Sequence, residues 1–89
     1  MKKSSRSHVR SLSAYLKQKR QESGYTQMDV ALKIGHSTPQ YISNYERGLC
    51  EPSIEMSVKI GRMLGVTPKD IRDVLLTAYS AYVKKALKL

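Results

Sequence analysis

Eighty-nine residues give room for one domain with a modest core, and 16 Lys plus Arg against 7 Asp plus Glu leave a formal charge of +9. A charge of that size favours a polyanionic partner and steered association with it. One cysteine excludes an internal disulfide and a four-cysteine zinc set, and His8 and His36 are too isolated to supply a metal site.

No apolar run reaches the ~18 residues of a membrane span. The start MKKSSRSHVRS has no apolar stretch of the signal-peptide kind. A cytoplasmic protein with no membrane partner is therefore expected. No window alternates apolar and polar residues for long, so an all-α domain is expected.

The first ten residues carry Lys2, Lys3, Arg6 and Arg10, three serines and no acid. So polar a segment cannot offset its ordering entropy, and a flexible basic arm is expected over 1–10. Leu12 and Leu16, at i,i+4 spacing, open helix one over 12–23, which Gly24 stops. Thr26-Gln27-Met28-Asp29 reads as a capping box for helix two over 27–34, with Met28, Val30, Ala31, Leu32 and Ile34 as its apolar set and Gly35 at its end.

Thr38-Pro39 opens helix three, with Thr38 as cap and Pro39 at the first helical position, where no donor is needed. Ile42 and Tyr45 face inward, and Gly48 closes the helix. Ser53 caps helix four, whose apolar set is Ile54, Val58, Ile60, Met63 and Leu64 before Gly65. Thr67-Pro68-Lys69-Asp70 starts helix five, which meets no further Gly or Pro up to Leu89.

Helices two and three, joined by a short turn containing Gly35, have the helix-turn-helix arrangement. Arg20, Gly24, Thr26-Gln27, Ala31, Gly35, Ile42-Ser43, Glu46-Arg47-Gly48, Pro52-Ser53 and Leu64-Gly65-Val66 stand in one register. Over 11–77 this pattern resembles the phage lambda repressor and Cro-like family, which includes bacterial regulators of the xenobiotic-response-element type. The resemblance implies a five-helix, lambda-repressor-like domain over 11–77 that binds double-stranded DNA, with 78–89 extending its last helix. It also implies that Gln27 grips a DNA phosphate and that Arg20 and Glu46 form a structural ion pair between helices one and three.

The residues agree with that reading. Gln27 falls in the first turn of helix two, where backbone N–H groups and the helix dipole favour an anion. With Ile42 and Tyr45 inward, Thr38, Gln40, Tyr41, Asn44 and Arg47 are left for the exposed face of helix three. Gln40 and Asn44 lie four apart on the half of the helix that would enter a major groove. Their amides can each pair two-pronged with adenine, which lysine or glutamate could not do. Thr38 can touch a thymine methyl, so Thr38, Gln40 and Asn44 are the expected base readers. Tyr41, Ser43 and Arg47 are assigned to the sugar–phosphate backbone.

The turn Gly-His-Ser-Thr-Pro is one residue longer than the commonest family form. Ser57 stands where an apolar residue is usual and Gly61 where Ala is usual. Glycine inside a helix costs about 1 kcal/mol, which implies tight packing there or a weak helix four. His36 reads as a loop residue and Cys50 as an inert thiol. There is no nucleophile–base set, no carboxylate pair with a plausible pocket and no phosphate-cradling loop, so neither enzyme nor cofactor is expected.

Along the last helix Ile71, Leu75, Ala78, Tyr82, Ala86 and Leu89 recur every 3.6 residues on average. Ile71 and Leu75, at the inner end, can pack on the chain's own core. Leu75, Ala78, Tyr82, Ala86 and Leu89 are the expected dimerisation stripe. A homodimer on a palindromic operator, acting as a transcriptional repressor near the nucleoid, is the functional expectation. The alternatives are an antitoxin that binds a toxin protein as well as its own promoter, and a small RNA-binding or nucleoid-packing protein working by charge alone. The second would place lysines where Gln40 and Asn44 stand.

Overall fold

The computed structural model describes residues 7–50 and 53–89. They form five helices and, among the described residues, no strand: α1 (Ser7–Ser23), α2 (Gln27–Lys33), α3 (Gln40–Glu46), α4 (Ile54–Met63) and α5 (Pro68–Leu87). The sharpest boundaries are those with local chemistry. Thr26 accepts from the Asp29 amide at 3.0 Å while the Asp29 carboxylate accepts from the Thr26 amide at 2.8 Å. Thr67 and Asp70 repeat this box at 3.1 Å in both directions, and Ser53 accepts from the Met56 amide at 3.0 Å. Each bond satisfies an amide that the first helical turn leaves without a partner.

Two starts differ from the sequence expectation. Helix α1 begins at Ser7, so position 10 belongs to the helix and not to an arm; Lys2, Lys3 and Arg6 lie outside the described residues. Once nucleated, a helix extends cheaply through residues that include no Gly or Pro, and 7–11 include none. Thr38 does not cap α3. Pro39 takes the N-cap place with φ −81° and ψ 2°, with no side-chain cap bond, and the first helical residue is Gln40. Thr38 stands one position before that cap.

The core joins Leu12 and Leu16 of α1, Val30, Ala31 and Ile34 around α2, Ile42 and Tyr45 of α3, and Ile60, Leu64, Val66 and Ile71. Ala31 is wholly buried, as a small residue must be where two helices cross closely. Met28 and Leu32, expected in the apolar set of α2, are exposed, as is Ile54 of α4. A seven-residue helix has less than two full turns and can bury only one narrow face. Leu76, Tyr79, Leu87 and Leu89 are exposed near or along α5, whereas Ile71 is buried and Val74 and Leu75 pack on the core.

Ser57 is buried beside the Tyr45 phenol, yet neither hydroxyl has a hydrogen-bond partner of good geometry. Burial pushes the Tyr45 pKa far up, and the nearby Ser57 hydroxyl opposes the shift only in part.

Tight packing, and not a weak helix, accounts for Gly61. A Cβ there would lie 3.1 Å from Ile71 Cδ1 and 3.1 Å from the Val66 carbonyl oxygen, so α4 and the start of α5 meet at the missing side chain. Gly61→Ala gains about 1 kcal/mol of helix propensity. Overpacking against a backbone carbonyl costs about 1–3 kcal/mol and outweighs it. The variant is expected to unfold at lower urea concentration than the parent with an unchanged slope; a higher midpoint would show that the close approach relaxes freely.

Candidate nucleic-acid interface

The turn between α2 and α3 is closed by backbone bonds that require Gly35. With φ at +93° it occupies a region that a side chain strains, and the chain reverses so that the His36 amide donates to the Ala31 carbonyl at 2.8 Å. The His36 ring then stacks on Tyr41, with centroids 4.8 Å apart and planes 11° from parallel. His36 is a loop residue, as expected, and its ring also ties the turn to the first turn of α3. Burial, with Cys50 nearby, raises the pKa of Tyr41 above its ordinary value.

On the outer side of α3 three side chains form one row. Gln40 Nε2 donates to Asn44 Oδ1 at 2.9 Å, and Arg47 Nη2 donates to the same oxygen at 3.1 Å. Gln40, Thr38 and Arg47 are exposed, while Asn44, Tyr41 and Ser43 are half-buried. Asn44 Oδ1 thus orients its neighbours, leaving the Gln40 carbonyl oxygen and the Asn44 amide nitrogen for an outside partner.

Behind this face lies a polar knot. The Glu46 carboxylate accepts from Arg20 Nε at 2.6 Å and Arg20 Nη2 at 3.0 Å, a two-pronged pair with both side chains nearly buried. Gln27 Nε2 donates to Glu46 Oε1 at 2.9 Å, and Arg20 Nη1 donates to the Tyr25 carbonyl at 2.8 Å. One carboxylate therefore fastens α1, the start of α2 and the end of α3 together. The family resemblance implied the Arg20–Glu46 pair but not Gln27 as its third member, and no local spacing links either residue to position 46.

The basic groups Lys2, Lys3 and Arg6 lie outside the described residues. Burial pushes the Cys50 thiol up, away from the thiolate form that reacts and binds metals. Among the described residues no cluster of His, Cys, Asp and Glu could hold a metal ion, and no helix is long and apolar enough to cross a membrane.

No curated protein sequence matches the chain. A solved structure, that of the clp gene regulator ClgR from Corynebacterium glutamicum, is similar with a TM-score of 0.67 at 30% identity, covering 91% of this chain and 82% of that one. The helix-turn-helix family model matches residues 16–71, which run from Leu16 in α1 to Ile71 in α5 and enclose the whole α2–turn–α3 unit. This chain, a DNA-binding regulator in its fold and in the arrangement of α2 and α3, belongs to the Cro-type helix-turn-helix family.

Proposed function

We infer that the protein is a transcriptional repressor that binds a palindromic duplex operator as a homodimer and acts by excluding polymerase from a promoter. The observation that carries this reading is the Gln40–Asn44–Arg47 row on the outer side of α3, joined through one amide oxygen. A row of lysines would bind any phosphate backbone, whereas a fixed pair of amides can discriminate donor and acceptor patterns on base edges. Gln40, Asn44 and Thr38 read bases in this proposal. Gln27, Tyr41, Ser43 and Arg47 hold the backbone and set the register.

The knot at Glu46 supports the same reading, because it keeps Gln27 and α3 in one frame. Docking needs such a frame if phosphate contacts are to place the amides opposite their bases. The stacked His36 does the same for the turn.

Selection of bound sequences from a random duplex pool, at stated salt, tests the proposal. A palindromic consensus supports it; retention without any consensus would reduce the protein to a charge-driven binder. The arm offers a second measurement. Removing residues 1–6 takes away Lys2, Lys3 and Arg6 while leaving all of α1. The log–log salt slope of binding should flatten by about 0.9 for each phosphate that is no longer neutralised, with helical content unchanged. An unchanged slope would remove the arm from the interface.

A further inference from the structure

Helix α3 has two flanks beside its outer row. At ~100° per residue, Ser43 and Glu46 fall on one side of Gln40, Asn44 and Arg47, and Tyr41 falls on the other. Gln27 belongs to the first flank, which it joins through its 2.9 Å bond to Glu46. A helix lying in a major groove has a sugar–phosphate strand along each side. The groups of the first flank can hold only one of the two strands. On the second flank stands the stack of Tyr41 and His36, with centroids 4.8 Å apart and planes 11° from parallel.

Both rings are fixed, and both keep their polar atoms unused. The His36 amide is tied to the Ala31 carbonyl at 2.8 Å, and Tyr41 packs on the core. Among the described residues, neither the imidazole nitrogens nor the Tyr41 hydroxyl bonds a protein group. Nor are they sealed in as the Tyr45 and Ser57 hydroxyls are. Burial, with Cys50 nearby, raises the Tyr41 pKa, so the phenol remains a donor at neutral pH. The ionisable groups around the pair are Lys33 in the last turn of α2, Tyr45 and Arg47 within and just after α3, and Cys50 beyond. These supply no anion with which the imidazole could share a proton, and Glu51, beside Cys50, lies outside the described residues.

We propose that His36 and Tyr41 form a two-donor clamp for a DNA phosphodiester on the strand opposite the one Gln27 holds, and that His36 grips it as the imidazolium. The phosphate accepts from the Tyr41 O–H and from an imidazole N–H. Its charge favours the protonated imidazole. By reciprocity, a proton on His36 strengthens the hold on DNA by the same factor. The bond is then charge-assisted, and one more counterion leaves the duplex. Phosphates are alike on every sequence, so the clamp adds affinity and register without base preference. It rests on the duplex-binding reading above, and not on repression or on the symmetry of the operator.

Binding of the full chain to the selected duplex and to an unrelated one, over a range of salt at about pH 6 and about pH 8, tests the clamp. The parent should bind both duplexes more tightly at the lower pH, with a log–log salt slope steeper by about 0.9. His36→Phe keeps an aromatic ring for the stack and removes the N–H. At the lower pH it should bind both duplexes about tenfold less tightly than the parent, with unchanged helical content. Its salt slope should be nearly the same at the two pH values. Tyr41→Phe should weaken binding to both duplexes and keep the pH dependence. His8 and the terminal amine are common to parent and variants, so these differences belong to the second flank.

Binding by His36→Phe that matches the parent at both pH values would reduce His36 to a packing group and overturn the clamp. A loss confined to the selected duplex would make His36 a base reader and overturn it equally. A parent that prefers no duplex sequence would instead sink the operator reading, and the pH comparison on any two duplexes would still decide the clamp.

Discussion

Glu46→Ala is expected to lower the unfolding free energy by about 3–5 kcal/mol, the penalty for leaving one member of a nearly buried pair without its partner. The carboxylate takes donors from Arg20 at 2.6 and 3.0 Å and from Gln27 at 2.9 Å, and its side chain is only 4% exposed. Its removal strands a guanidinium that is 11% exposed and keeps one bond, to the Tyr25 carbonyl. A domain of this size has roughly 5–15 kcal/mol in total, so the variant should lie close to unfolding at ambient temperature.

The paired replacement Arg20→Met with Glu46→Leu separates desolvation from attraction. Removing both charges together removes the stranded-charge penalty, so the double variant should be clearly more stable than Glu46→Ala. Urea unfolding followed by helical circular dichroism measures both. A loss below about 1 kcal/mol for Glu46→Ala would place the pair among ordinary surface bridges.

Asn44→Ala and Gln40→Ala are expected to weaken binding to the preferred operator by about 1–3 kcal/mol each, and to relax preference at one position per half-site. Binding to unrelated duplex should hardly change. Asn44 should show the larger effect, because its Oδ1 accepts from both Gln40 and Arg47, and its loss frees two neighbours as well as one reader. The two effects should be non-additive for the same reason, since residues in one hydrogen-bonded row are coupled. Quantitative binding to a panel of single-base operator variants, at one fixed salt concentration, is the measurement. Uniform weakening across all duplexes would reassign both side chains to the backbone.

The sequence by itself determined what short-range chemistry controls. The boxes Thr26–Asp29 and Thr67–Asp70, the Ser53 cap and the glycine stops after α1, α2 and α4 involve partners within a few residues, so spacing alone locates them. The row on α3 was legible for the same reason, since i,i+4 spacing places Gln40 and Asn44 on one face once Ile42 and Tyr45 face the core.

What tertiary structure alone decided depends on residues distant in the chain. Position 10 became helical through extension of α1, and it is α1 as a whole that packs most extensively on α5, whose Leu76 and Leu87 stay outside. Periodicity shows that a helix has an apolar stripe, but not which neighbour covers it. Gln27 reached Glu46 nineteen positions away, and His36 found Tyr41 only because the turn folds back on α3. Gly61 carried two local meanings, a weak helix or a close approach, and the Val66 carbonyl at 3.1 Å selects the second. A cap is set by the chain beside it, whereas a knot or a crossing is set by how the helices pack.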